Sequence, residues 1–357
     1  MNYRSRLKEE VQKQPEEVYE KSAGGRYTFT ERFVCKKNTF RILVLFTLMG
    51  TFVFGCMAEA NKNTRNRIIV SSDIGGNDPD DFQSLVHFLV YANEFDIEGL
   101  ISSPPYAGRK KHILEVIDAY EKDYDKLQEH GNFPLPDSLR NITKQGAIHP
   151  QPDSIPDTLS EGAQWIITKA LEEDDRPLYI QVWGSITDVA QAVHHNPAIK
   201  EKIRVYFIGS WNTRQDTNAR NYLYDHHPDL WWIENNTTFR GMYMGGYQEE
   251  DYGNDSFVMQ HVKGHGALGD LYWSKKKTIK MGDTPSVLYF LDGDPANPEG
   301  ESWGGSFIPA DHGPYYWTDN PDTTLIVNGR EGAKTVSKYR KEYLEDWKER
   351  MDWIKEK

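Results

Sequence analysis

Residues 67–102 read RIIVSSDIGGNDPDDFQSLVHFLVYANEFDIEGLIS, and the change of period along this stretch decides the fold. Arg67–Ser72 is a short apolar, β-branched run, the pattern of a buried strand. Gly75, Gly76, Asn77 and Pro79 then break the chain into a turn. Beyond it Phe82, Leu85, Val86, Leu89 and Val90 recur at the spacing of an amphipathic helix, with Asp80 and Asp81 at its electropositive start. Ile97–Ser102 returns to a strand. Strand, helix and strand in this order require a parallel pair joined by a right-handed crossover.

The alternation continues outward. A helix is expected around His112–Tyr124, a strand at Leu178–Trp183, a helix at Ile186–Val193 and a strand at Val205–Gly209, with another strand predicted at Thr238–Met244. The sum is an α/β domain with a mostly parallel, Rossmann-like sheet and helices on both faces. Residues 246–325, rich in Gly, Asp, Pro and aromatics, read as loops around a site. Val336–Lys357 reads as a charged helix with Tyr339, Tyr343, Trp347, Met351 and Ile354 on one face.

Composition narrows the partners. Apolar residues make 38% and aromatics 13% of the 357 residues, too rich for a disordered chain. Net charge is -12, and residues 56–357 alone carry 32 Lys and Arg against 48 Asp and Glu. So acidic a body is a poor phosphate-backbone binder, which argues against nucleic acid as a partner. It suits a neutral ligand, a bound cation, or both. The two cysteines, Cys35 and Cys56, exclude a disulfide framework and a cysteine zinc site.

The N-terminus reads as an address. Residues 42–55, ILVLFTLMGTFVFG, carry no charge, follow Lys36, Lys37 and Arg41, and are too few for a normal spanning helix. Val53-Phe54-Gly55-Cys56 resembles a bacterial lipobox, with Phe54 bulkier than usual. This implies cleavage before Cys56, lipidation of its thiol, and an exported lipoprotein at the periplasm or cell surface, held to the outer membrane by its lipid alone. An uncleaved anchor and a plain signal peptide are the alternatives. Residues 1–33 match neither a signal nor a core, and are expected to lie upstream of the true start. Residues 56–66 are then a tether, and 67–357 the folded domain.

The turn Ser71–Asp81 carries four carboxylates, Asp73, Asp78, Asp80 and Asp81, at the C-terminal end of the first strand, where open α/β sheets bind ligands. Carboxylates so close repel unless a cation neutralises them, and a hard divalent cation is the natural partner. The spacing alone equally allows a solvated turn, with Asp80 and Asp81 favourable at a helix start. The turn is no phosphate loop, since it lacks Lys and is negative.

Asp73-Ile74-Gly75 followed by Asp80-Asp81 at a helix start resembles the aspartate motif of the nucleoside hydrolases. Together with Ser72, the run Asp80–Val86 and the run Asn93–Ile101, it is similar to the bacterial family of cellulose-binding proteins with a nucleoside-hydrolase-like domain. Trp183–Ala190 (WGSITDVA), Pro228–Ile233, Thr238–Tyr243, Gly264-His265-Gly266, Gly282–Ser286 and Trp303-Gly304-Gly305 follow in the same order, so the resemblance covers about residues 67–353. It implies one Ca²⁺ held by Asp73, Asp81, Asp283 and the Trp183 carbonyl. It further implies a cation-bound water that gives its proton to Asp73 and attacks the anomeric carbon of a sugar. Asp80 would hydrogen-bond sugar hydroxyls, helped by Asn221, which with Asp225 matches the family's Asn-x-x-x-Asp pattern. Such chains are expected to continue into a small β-rich domain, a module expected to be missing after Lys357.

The departures bear on the chemistry. Three extra residues separate Asp73 from the Asp pair, Ser71 stands where true nucleoside hydrolases have an acid, and Gly282 where several have a His that assists the leaving base. His265 is the substitute candidate for that acid, or else a structural histidine. Trp183, Trp211 and Trp303 are candidates to stack on sugar faces, or else core and wall. The expected activity is hydrolysis of a glycosidic bond, N-glycosidic by family analogy. An O-glycosidase on oligosaccharides and a non-catalytic carbohydrate binder remain as alternatives. The expected ligand is a small sugar, a nucleoside or an oligosaccharide, and self-association into a homo-oligomer is left open.

Overall fold

The computed structural model describes residues 64–356, so the leader, Cys35, Cys56 and most of the tether lie outside the described residues. The first half of the domain runs β1 (Asn66–Ser72), α1 (Asp80–Val90), β2 (Phe95–Ser102), α2 (Lys110–Leu127), α3 (Pro136–Asn141), β3 (Thr143–Gln145), α4 (Glu161–Ala170) and β4 (Leu178–Val182). It continues through α5 (Thr187–His195), β5 (Ile203–Ile208), α6 (Trp211–Gln215), α7 (Thr217–His226) and β6 (Trp232–Asn235). The remainder is α8 (Asn254–His261), α9 (Gly266–Lys275), α10 (Thr284–Leu291), β7 (Phe307–Pro309), β8 (Tyr316–Asp319), α11 (Ala333–Ser337) and α12 (Arg340–Ile354). No described helix is long and apolar enough to cross a membrane.

The strands form one eight-stranded sheet in the order β3-β2-β1-β4-β5-β6-β8-β7. Every pair is parallel except β7 with β8. Alternation along β1 explains the layering. Ile68 and Val70 face one apolar cluster, built with α1, α2, α9, α10 and α12, while Ile69 faces the other, built with α4, α5 and α7. A sheet buried on both faces is why its strands read as continuous apolar runs.

Two sequence expectations are corrected. Thr238–Met244 is not a strand: Thr238–Met242 is a single 3₁₀ turn, and the sixth strand is the preceding Trp232–Asn235. The cause is Asp319 at the end of β8, whose carboxylate accepts the backbone N–H groups of Asn236, Thr237 and Thr238 at 2.8, 3.1 and 2.7 Å. Those donors are lost to a ladder, and the chain must turn. Residues 246–325 hold three helices and two strands between their loops, and they do not surround the site: of the whole range only Lys280 and Asp283 line the cavity described next.

Candidate active site

The order of the sheet reverses between β1 and β4, and a ligand crevice is expected outside the strand ends there. A cavity of about 480 Å³ occupies that place. The end of β1 is gripped from both sides: Ser103 N–H donates to the Ser72 carbonyl at 2.8 Å, and Trp183 N–H to the Ser71 carbonyl at 2.7 Å. The chain then turns, Gly76 N–H donating to the Asp73 carbonyl at 2.9 Å, with Gly75 in the left-handed region at φ +89°. This sets Asp73 at the cavity floor and delivers Asp80 and Asp81 at the first turn of α1. Gly184 lies against Asp73 so closely that a Cβ there would stand 2.7 Å from the Asp73 Cβ.

Asp283 arrives from far along the chain, at the N-cap of α10. Buried Gln83 of α1 holds the approach to it. Its amide donates to the carbonyls of Lys276 (3.2 Å) and Thr278 (2.9 Å), and its oxygen accepts from the N–H groups of Lys280 (3.0 Å) and Met281 (3.2 Å). The amide is thereby fully used, and it ties the segment bearing Lys280 and Asp283 to the helix bearing Asp80 and Asp81.

One oxygen each of Asp80, Asp81 and Asp283 lie within 4.8 Å of one another. Asp81 and Asp283 are buried, Asp81 accepting from the Ser72 hydroxyl, and Asp283 Oδ2 is buried with no hydrogen-bond partner. Burial, then the charges of Asp73 and Asp283, pushes Asp81 well above the carboxylate range; burial, then Asp80 and Asp73, does the same to Asp283. Burial and Asp78 raise Asp80 to about 6 against the pull of Lys280. Burial and Asp80 raise Asp73 to about 7, partly offset by the hydrogen bond it shares with Asp81. An orphaned buried carboxylate oxygen facing two more carboxylates is a cost that a bound cation removes. A set of oxygen donors without Cys or His fits a hard divalent cation.

The sequence-predicted residues divide. Asp73, Asp80, Asp81, Asp283, Trp183 and Trp211 line the one cavity. Asp80 converges with Asp81 and Asp283, a place expected of Asp73. The Trp183 indole is only 1% exposed and donates to Ser286 Oγ at 2.6 Å, so it is floor, not platform. Its carbonyl accepts from Asn212 Nδ2 at 2.8 Å.

Three expectations are corrected. Asn221 is exposed on α7 and sits away from the cavity, where Asn212 stands instead. Trp303 lines a separate cleft with Tyr91 and Arg350. His265 is buried at the start of α9, its Nε2 3.3 Å from Asp352 of α12 and its Nδ1 3.1 Å from the Lys263 carbonyl, which makes it a joint between helices.

The sequence reading missed Tyr106, Asn212, Phe239, Arg240, Tyr243 and Lys280. Asn212 had a signal, since it lies just past the end of β5 beside Trp211; Phe239, Arg240 and Tyr243 lie in the segment Thr238–Tyr243, whose residue types alone do not mark a site, and Tyr106 and Lys280 lie outside the motif segments. Trp211 is 52% exposed on the rim, its indole N–H 3.3 Å from the hydroxyl of Tyr106, itself 39% exposed. Lys280 pairs with Asp78 at 2.7 Å and stands 3.9 Å from Asp80. Burial opposes its charge, but Asp80 and Asp78 outweigh that and raise its pKa.

An α/β protein with a carboxylate cluster under an aromatic rim at the strand ends is thus defined. Residues 67–307 match the family model described as cellulose-binding Sde182, nucleoside hydrolase-like domain, and the chain belongs to this family. The chain is similar to a solved nucleoside hydrolase-related hypothetical protein from Saccharophagus degradans, associated with carbohydrate metabolism. The two are 29% identical over 82% of this chain and 72% of that one, with a TM-score of 0.66. It shares its fold with the effector protein XOO4466, at 8% identity, 81% and 94% coverage and a TM-score of 0.50. It also aligns with an inosine-uridine preferring nucleoside hydrolase from Bacillus anthracis, at 13% identity, 80% and 99% coverage and a TM-score of 0.49. No curated protein matches it in sequence.

Proposed function

We propose that this protein is an exported, calcium-dependent hydrolase of glycosidic bonds, N-glycosidic by analogy with its nucleoside-hydrolase-like family. The observation that carries the reading is the trio Asp80, Asp81 and Asp283, of which Asp81 and Asp283 are buried and Asp283 has an unpartnered oxygen, with Asp73 lining the same cavity. Asp80, Asp81 and Asp283 would hold the cation, which when bound supplies the positive charge that offsets the cluster and acidifies water. Asp73 is then the proton acceptor: as the oxygen of a water bonds to the anomeric carbon, one carboxylate oxygen of Asp73 takes its proton. The bond to the leaving group breaks with its electron pair going to that group. Asp73, the cavity carboxylate outside both the cation trio and the Asp78–Lys280 pair, is the one placed to favour the positive charge that builds on the sugar ring. Trp211 and Tyr106 offer an exposed aromatic rim to a sugar face. The cavity lining holds no histidine among the described residues; its proton-bearing groups are Lys280, Arg240, Tyr106 and Tyr243.

A second reading, a carbohydrate binder that keeps the cation-holding fold without turnover, is supported by the cellulose-binding description of the family and by the same exposed rim. Reducing-sugar release from a panel of nucleosides and oligosaccharides, with calcium present, separates the two. The hydrolase reading expects release from at least one member, and a loss of about 10²–10⁴-fold in rate for Asp73→Asn with sugar affinity largely kept. The binder reading expects no release, retention of glycan on a pull-down, and loss of that retention in Trp211→Ala. Export is part of the proposal: residues 1–55 are removed, Cys56 carries lipid, and residues 67–357 form the exported domain. Mass spectrometry of the membrane fraction checks it, and a mature N-terminus other than Cys56 would overturn it.

A further inference from the structure

Beside the cation cavity, and sharing Ser210 and Arg240 with it, lies a second cleft of about 330 Å³. Its other walls include Thr213, Arg214, Thr237 and Arg330. The chemistry changes sign across the shared wall, from five aspartates on one side to three arginines on the other. Six arginines elsewhere, Arg67, Arg140, Arg176, Arg220 and Arg350 among them, pair with carboxylates, whereas Arg109, Arg204 and Arg340 do not but stand apart from one another on separate elements. Arg214, Arg240 and Arg330 form no ion pair among the described residues. Arg240 is held in place by neutral oxygens, donating to the Asn236 carbonyl at 2.7 Å and to Ser210 Oγ at 2.9 Å.

The carboxylates nearby are already taken. Asp319 accepts the three backbone N–H groups beyond β6, and Glu234 is bound by Arg220 at 2.7 Å and by the Thr213 hydroxyl at 3.0 Å. The three guanidiniums also feel one another: burial first, then the charges of Arg330 and Arg214, depress the pKa of Arg240 against an opposing pull from Tyr243 and Asp319. Like charges gathered on one cleft without an ion-paired carboxylate are the inverse of the aspartate cluster, and an anion relieves them as a cation relieves the aspartates. Guanidiniums match the oxygens of carboxylate, sulfate and phosphate in pairs.

We propose that this cleft is an anion subsite, and that the ligand is a sugar bearing an anionic group, a carboxylate, sulfate or phosphate, which Arg214, Arg240 and Arg330 receive while the sugar ring occupies the cation cavity. The proposal rests on the reading of that cavity as the sugar site. It names the class of sugar that fits: one that is neutral at the ring and negative some way from it. A purely neutral glycan would leave the three arginines uncompensated.

Two measurements on the calcium-loaded full chain test it, with Arg214→Gln/Arg330→Gln as the variant, both positions being exposed. The first is calorimetric binding of glucose, glucuronate, glucose 6-sulfate and glucose 6-phosphate. At least one anionic member should bind the wild type about 10-fold or more tightly than glucose, the scale of one charged hydrogen bond. The variant should erase the gap while keeping glucose affinity, and the member that gains identifies the anion. An anionic preference that is missing, or that survives in the variant, overturns the proposal.

The second measurement is thermal stability in sulfate against chloride at equal ionic strength, which needs no sugar. Sulfate should stabilise the wild type and not the variant, whose melting in chloride matches wild type. An equal shift in both proteins overturns the anion subsite whatever the sugars do. A selective sulfate shift with no sugar bound at all would instead keep the subsite and remove the sugar reading of the cavity.

Discussion

Asp73 is placed by a residue that contributes no side chain at all. Gly184 begins the segment after β4, and a methyl group there would stand 2.6 Å from Ser103 Oγ and 2.7 Å from both the Asp73 Cβ and the Asp73 amide nitrogen. None of these is the free end of a flexible chain, so the strand ends must part. Gly184→Ala should therefore destabilise the protein by about 1–3 kcal/mol, the usual cost of overpacking. It should also lower turnover or cation affinity by displacing Asp73, although it alters no acidic group. Urea unfolding and a cation titration check this, and an alanine variant equal to wild type in both would refute the close contact. Gly282 works similarly on the opposite wall: a Cβ there would stand 2.9 Å from Asp80 Oδ2. The position where several nucleoside hydrolases are expected to carry a histidine thus opens directly onto an aspartate.

At the scale of elements, α1 joins the site to the rest of the domain. Its first turn bears Asp80 and Asp81, its Gln83 carries the Asp283 segment, and its far end packs on α12 through His87. His87 is buried between Tyr91, with ring centroids 4.6 Å apart, and Trp347, at 5.4 Å, and its Nδ1 has no partner. The charged groups around it are Arg350, stacked over Tyr91, and Asp346 and Glu94, which bind Tyr91 and Arg350. Burial, then Arg350, lowers its pKa from 6.5 to about 3. Between those values the unfolded chain takes up a proton that the folded one refuses, so this term is fully present above pH 6.5 and is lost as pH falls toward 3. The slope is about 1.4 kcal/mol per pH unit. His87→Leu should be close to neutral at pH 7 and should lose about 2 kcal/mol less than wild type between pH 7 and pH 5. Urea unfolding at both values measures it, and parallel losses would refute it.

What the sequence could disclose follows the same elements. β1, β4 and β5 were legible because strands buried on both faces are largely apolar runs bounded by turn residues, and β2 by its buried apolar end at Leu100 and Ile101. Thr238–Met244 misled because its β-branched and aromatic content gives no hint that Asp319, some eighty residues on, claims its amides. α9 was hidden for another reason: Leu268, Leu271, Tyr272 and Trp273 surround a helix interrupted by Gly269, leaving no one-sided stripe to read. The carboxylates of the site were legible because they lie in one motif or at a helix start. Arg240 and Lys280 were not, because tertiary folding alone brings them to the cavity. His265 and Trp303 carried motif-like flanks that serve packing.

On the whole molecule, the aspartate cluster and His87 act with opposite sign. The raised carboxylates bind protons in the folded state that they would release on unfolding. Their contribution is fully present below the ordinary value of 3.8 and is lost as pH climbs through about 6 for Asp80 and about 7 for Asp73. Without a cation the internal repulsion therefore grows as pH climbs through these values, concentrated where α1, α10 and β1 meet. Calcium should raise the melting temperature over EDTA, with stabilisation growing as the logarithm of its concentration and reaching about 2.7 kcal/mol at a hundred times its dissociation constant. Asp283→Asn sharpens the test because it keeps shape and removes one buried charge. In EDTA the variant should be as stable as wild type or more so, since repulsion is relieved; with calcium it should gain little or nothing. A merely structural aspartate would give the reverse: loss of stability in EDTA and an unchanged response to calcium. Thermal melts of both proteins with EDTA and with calcium distinguish the outcomes, and that reverse pattern would remove the cation from the centre of this fold.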